Sequence, residues 1–300
     1  MRVCGIALIG AFFYVAGARA TDMFVDNVAG DDLRDGRQAA STGGSGPVRT
    51  LARALELVHA GDRVLLTNRG VPYREPICLS AARHCGNAVS PFIIDGQGAT
   101  LDGLASIPAE AWQSYRAEVF RYRPAKMSFQ QLFLDGKPAA QRKLDAFDRA
   151  LPPLEPLEWC RHGGTFYFRV EQGKLPADYM LSCLGLQTGI TLYHVHDVVI
   201  ANLAVQGFRI DGVNASDGVT RCELVGVTSH GNGRAGVAAC GSSELRLDGC
   251  IIGDNGQAQL WAEGLAAVTV DDSELVDLTA PAVRHEGRSE VEVRKTRAAE

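Results

Sequence analysis

Glu263 and Glu286 stand 23 residues apart, and so do Trp261 and Arg284. Paired carboxyls can divide the work of proton donor, base or nucleophile between them. A guanidinium can hold a carboxylate through two parallel hydrogen bonds. An indole presents a flat apolar face, as a sugar ring requires. If 23 residues make one turn of a stacked repeat, the two glutamates lie on neighbouring strands about 4.8 Å apart. That approaches the roughly 5 Å separation of a retaining glycosidase. Tyr193 falls on the same outward column, Asp211 comes at the turn just before the strand, and Arg234 is a further available cation. The candidates are therefore Glu263, Glu286 and Asp211 for catalysis, and Trp261, Arg284, Tyr193 and Arg234 for substrate binding. Each has a plainer reading. Asp211 precedes Gly212 and suits a turn, while Glu263 and Glu286 can be solvated charges with Arg284 easing their repulsion. His194 and His196 in "LYHVHD" share one face of a strand, but no third ligand accompanies them, so no metal site is expected. His230 in "SHGNG" reads as a turn residue. No cofactor is expected.

Such residues need elements that repeat. Laid on itself at a shift of 23, the chain aligns Val237, Leu260 and Val283 in one column. Leu245, Val268 and Val291 form a second, and Leu247, Val270 and Val293 a third. A fixed period in the 20s is the mark of a stacked repeat. Within each period "LRL", "VTV" and "VEV" alternate as strands do. Short strands joined by turns at that period predict a parallel β-helix. Leucine-rich repeats would need a leucine/asparagine consensus, and propellers a longer period. Asn232-Gly233 and Asn255-Gly256 are then the same corner on successive coils, where both residue types tolerate positive φ. Inward positions are Ile190, Val213, Val237, Leu260 and Val283. The next residue outward is Thr191, Asn214, Ala238, Trp261 and Arg284. Two further on come Tyr193, Ser216, Cys240, Glu263 and Glu286.

The net charge of −5 provides no basic face for nucleic acid. Residues 1–20 combine Arg2, an apolar run and an A-x-A ending at Ala20, the pattern of a secretory leader. No stretch is long enough for a membrane span. The expected protein is secreted or periplasmic and monomeric. Export permits disulfides. Cys78 and Cys85 are the first expected pair and Cys160 and Cys183 the second, whereas Cys222 and Cys250 fall on inward columns and are expected to stay reduced.

The stretches "FVDNVAGDDLRDG", "PVRTLARALELV", "AGDRVLL" and "YREPI" resemble the opening of secreted right-handed parallel β-helix proteins of the pectate-lyase-like superfamily. In that family the second stretch is a helix capping the first coil. Leu51, Ala54, Leu55 and Val58 sit at helical spacing behind Thr50, in agreement. "QLFLDGKPAAQRK", "EWCRHGGTFYFRV" and "LPADYML" resemble bacterial β-helix carbohydrate-active proteins that carry a small β-rich insert. "EVFRYR", "FQQLFLDG" and "TFYFRV" read as its strands, with Asp135-Gly136 as a hairpin turn. The expected fold is all-β: a right-handed parallel β-helix with an N-terminal capping α-helix and a β-rich insert. The divisions are a leader at 1–20, cap and first coils at 21–104, insert at 105–185 and further coils at 186–300.

The resemblance implies a groove along an outward strand face. Polygalacturonase-type members place several aspartates just before the strand. Here only Asp211 matches, followed by Ala235, Ala258 and Pro281. Pectate-lyase-type members use calcium-binding carboxylates with an arginine base. Arg234 and Arg284 are present without an acidic cluster of calcium spacing. Two functions stay open. One is an exported polysaccharide hydrolase or lyase. The other is a non-catalytic glycan-binding or cell-surface β-helix protein. Either takes a polysaccharide or oligosaccharide as its partner.

Overall fold

The computed structural model describes residues 20–126, 128–144 and 150–294. The expected leader, apart from Ala20, lies outside them.

Three parallel sheets wind into a solenoid of about 4 turns. The longest has eight strands, starting with Asp22–Val25, Arg63–Leu66, Phe92–Asp95 and His196–Ala201 and ending at Glu290–Val293. The second has six strands, from Ile77–Ser80 and Ile190–Tyr193 through Asp211–Asp217, Ala235–Ala239 and Ala258–Gly264 to Val283–Gly287. The third has five short strands, from Thr100–Asp102 to Glu274–Leu275. Between the three sheets runs one core that includes Ile77, Ile190, Val213, Val237 and Leu260, with Val283 packed at its edge. Val237 pairs with Leu260 and Leu260 with Val283, as the 23-residue period predicts, and Val213 pairs with Val237 one residue beyond that period. Each coil buries its apolar column against the next, so the coils stabilise one another.

The helix Leu51–Leu57 closes the first coil, with Leu51, Ala54 and Leu55 buried. The Arg53 amide donates to Thr50 Oγ1 at 3.1 Å, the expected cap. Glu75 adds a second: its carboxylate accepts from the Leu51 and Ala52 amides at 2.9 and 3.1 Å. Those amides have no partner within the helix, so a carboxylate there is favourable.

The solenoid continues directly past an interruption. Val198 to Ala201 pair in register with Phe92 to Asp95. Between them, the described residues of 104–184 form two four-stranded antiparallel sheets, one carrying Leu132–Leu134 and Leu181–Leu184, the other Trp159–His162, Thr165–Arg169 and Val119–Tyr122. They enclose a separate core of Trp112, Leu132, Trp159, Phe166 and Phe168. Asp135 and Gly136 turn the expected hairpin with φ of 51° and 77°.

Four readings need correction. The Asn-Gly corners do not use left-handed asparagines; the positive φ falls one residue earlier, at Gly231 and Asp254. Asn232 and Asn255 are fully buried and stack as a ladder. Asn232 Oδ1 accepts from the Phe208 amide, Asn255 Oδ1 from the Asn232 amide, and Gln259 Oε1 from the Asn255 amide, at 3.0, 3.0 and 3.2 Å. Gly233 follows because space forbids more: a Cβ there would lie 2.2 Å from the Phe129 carbonyl oxygen and 2.3 Å from that of Arg209. Cys78 and Cys85 are both free. Cys78 points out of its strand while Cys85 joins the solenoid core, so the wall separates them. Cys160 and Cys183 are also free and belong to different clusters of the insert. His194 and His196 do not share a strand face. The strand ends at Tyr193, His194 turns with φ of 53°, and His196 opens a strand of the next sheet. Cys222 and Cys250 are buried and free, as expected.

Candidate functional site

The outer face of the six-stranded sheet brings most of the candidates together. Trp261 pairs across the strands with Ala238 on one side and Arg284 on the other. Glu263 pairs with Glu286. Tyr193 departs from its column, because a bulge after Leu192 sets it opposite Asp217. It is exposed and touches the His194 ring at 4.2 Å, at the early end of the sheet. One inserted residue suffices to break a register read from spacing alone.

Asp211 has no exposed surface. Its carboxylate takes both arms of the Arg234 guanidinium, Oδ1 from Nε at 2.8 Å and Oδ2 from Nη2 at 2.5 Å. Asn214 Nδ2 donates to Oδ2 at 2.6 Å. The pairing raises the Arg234 pKa above its ordinary value, against the cost of burial. Asp211 thus anchors Arg234 across neighbouring coils, which sequence spacing did not reveal.

Arg234 in turn lies over the Trp261 ring, its Cζ 5.3 Å from the centroid, and Arg284 lies over it at 4.1 Å. Trp261 is 8% exposed and packs with Ala235, Ala238 and Ala258 outside the solenoid core. Its indole Nε1 is buried without a partner. The open aromatic platform expected from the sequence is here an indole covered by arginines, held by cation–π attraction. A sugar reaches that ring only if a guanidinium moves aside.

Arg284 also donates from Nη2 to Glu286 Oε1 at 2.9 Å. Glu263 is partly buried beside it. Cys240, on the coil before, does not offer a thiolate: burial pushes its pKa up to about 11, the Arg234 charge opposes, and Glu263 and Asp211 add to the rise. The face thus carries two adjacent carboxylates, a fixed arginine and a covered indole. His230 lies off this face, beside a cleft at the coil turns, and burial lowers its pKa. Among the described residues no group of three His, Cys, Asp or Glu side chains could hold a metal.

Residues 182–298 match the family model described as "Right handed beta helix region". The chain is a right-handed parallel β-helix. Among solved structures, one titled "Glycoside hydrolase" superposes with a TM-score of 0.55 at 12% identity, over 83% of this chain and 73% of that one. A second is the complex of XylC with xylose, at a TM-score of 0.44 and 9% identity, over 92% of this chain and 70% of that one. A third is the GH136 lacto-N-biosidase of Eubacterium ramulus, at 0.42 and 13%, over 92% and 52%. A search of curated proteins by sequence found no match. At these identities the likeness concerns the fold; the chemistry has to come from the residues.

Proposed function

We propose that this β-helix is an exported, monomeric carbohydrate-active protein, a glycoside hydrolase or polysaccharide lyase working along the outer face of its six-stranded sheet. The observation that carries the reading is the register pairing of Glu263 with Glu286. Neighbouring strands lie about 4.8 Å apart, and a retaining hydrolase needs its carboxyls roughly 5 Å apart. Arg284 holds Glu286 in place and suits it to act as the nucleophile, leaving Glu263 to give the proton to the departing sugar. Trp261 and Arg234 floor the site, and Asp211 fixes Arg234. The fold shared with a structure titled "Glycoside hydrolase" supports the same class.

One observation favours a second reading, a non-catalytic glycan-binding protein. Asp211, Arg234, Arg284 and Glu286 already satisfy one another, and the indole is covered. A polysaccharide panel separates the two. New reducing ends without ultraviolet absorbance mean hydrolysis, and absorbance from a new double bond means elimination. Retention on a polysaccharide matrix with neither signal means binding alone. The hydrolase assignment predicts reducing ends from the wild type and almost none from Glu263→Gln; equal activity of the two removes Glu263 from the mechanism.

A further inference from the structure

The insert and the coil turns leave a cleft between them, at the opposite end of the strands from Glu263. Three adjoining cavities of 390, 630 and 590 Å³ all include Gln141 and Gly256 in their walls. From Gln257, at the cleft, to Glu263 the strand advances six residues, about 20 Å at strand rise. The cleft is therefore a separate place from the glutamate pair.

Its chemistry is distinct too. Side-chain amides face it from both walls, Gln131 and Gln141 from the insert and Gln257 from the coil. Amides carry both donors and acceptors, which is what the hydroxyls of a sugar call for. Among the described lining residues the cations are Lys137, Arg142, Lys143 and Arg161, and the only acid is Asp254. That excess stands out in a chain whose net charge is −5. His230 also borders the cleft, and burial lowers its pKa below the ordinary histidine value, so near neutrality it adds no charge. Deeper in the wall, Gln130 is 5% exposed; its Nε2 donates to the Leu184 carbonyl at 2.9 Å while Oε1 has no partner. A buried acceptor left unmet is uncommon, and this one lies behind the cleft surface with essentially no exposed area of its own.

We propose that this cleft is a second binding site, for an acidic oligosaccharide whose carboxylates meet Arg142 and Lys143 and whose hydroxyls meet the glutamines. Arginine suits the carboxylate through paired hydrogen bonds, and lysine supplies a point charge. The site holds a chain on the protein without taking part in bond cleavage. It is independent of the Glu263–Glu286 assignment, because one concerns binding at the turns and the other chemistry at the far end of the strands.

Titration calorimetry on the full chain tests this with two probes. One is a trisaccharide of uronic acids; the other is the same trisaccharide with its carboxyls reduced to alcohols. The acidic probe binds at least about tenfold more tightly, and raising the salt narrows the gap. The double substitution Arg142→Ala with Lys143→Ala weakens the acidic probe by about tenfold or more, close to 1.4 kcal/mol, and leaves the reduced one unchanged. Gln141→Ala weakens both probes. Glu263→Gln leaves both affinities as they were, even if it abolishes cleavage. Thermal melts check each variant, and if the double variant melts early the single Lys143→Gln carries the test by a smaller shift in the same direction. Equal affinity for the two probes overturns the proposal. So does acid-probe binding that survives the cleft substitutions, or no binding of the acidic probe at roughly 10 mM.

Discussion

The outer faces of the eight-stranded and six-stranded sheets are built by the same coils, yet they spend their charges differently. On the eight-stranded face Arg246 reaches Asp271 at 2.9 Å, Asp248 at 3.1 Å and Glu223 at 3.7 Å, with its side chain 43% exposed. Asp248 and Glu223 are 37% and 40% exposed, so water competes for those partners, and only Asp271, at 16%, is largely covered. On the six-stranded face Arg234 and Asp211 are 19% and 0% exposed, and alanines and Trp261 pack around them outside the core. A solenoid wall needs only its inner columns to fold. Apolar packing and a desolvated ion pair on the outside are therefore expenditure that the fold does not demand, and they single out this face.

The largest expected contrast lies between those two ion pairs. Asp211→Ala leaves Arg234 desolvated and unpaired and should cost about 3–5 kcal/mol. Arg246→Ala should cost under about 1 kcal/mol. Urea unfolding measures both, and equal losses would erase the distinction between the faces. The inner columns should show no such contrast. Leu260→Ala and Leu247→Ala, behind the two faces, should each cost about 2–5 kcal/mol, and a loss under about 0.5 kcal/mol would place that side chain outside the core. For activity the faces should separate again. With an active substrate in hand, Glu263→Gln should lower turnover at least about 100-fold, whereas Glu223→Gln should stay within about twofold. A drop from Glu223→Gln would move the site to the other sheet.

The smallest effect concerns acid. Asp197 lies on the eight-stranded sheet, and Arg221 holds its pKa down to about 2, with His196 assisting. A depressed carboxyl stabilises the fold fully above its unfolded value, near pH 4, and loses that contribution as pH falls through about 2. Arg221→Ala should therefore lower stability near neutrality, flatten the acid limb of the melting profile between about pH 4 and 2, and bring the variant level with wild type below about pH 2. A variant profile parallel to wild type would show that the pair contributes nothing to folding.

Much of the architecture was legible in the residues themselves. The columns of Val237, Leu260 and Val283 gave coil length and strand register, because a repeat buries its apolar side chains only against the same positions of its neighbours. That register placed Trp261 opposite Arg284 and Glu263 opposite Glu286. Tyr193 escaped it, since a bulge adds a residue that periodicity cannot register. The cysteine pairings failed for a related reason: only six residues lie between Cys78 and Cys85 in the chain, but the wall of the solenoid separates them in space.

The sequence by itself determined the local and the periodic: a capped helix at Thr50, strands of alternating burial, and a 23-residue coil. These follow from backbone propensity and from identical units stacking on one another, and both act at fixed chain separations. Only the tertiary structure decided that Asp211 grips Arg234, that two guanidiniums cover Trp261, that Asn232 and Asn255 form a buried ladder, and that the insert faces the coil turns across a cleft lined with amides and cations. Each depends on rotamers and on surfaces meeting at separations no period sets, because a side chain's partner outside the core is chosen by desolvation and geometry once the coils are stacked.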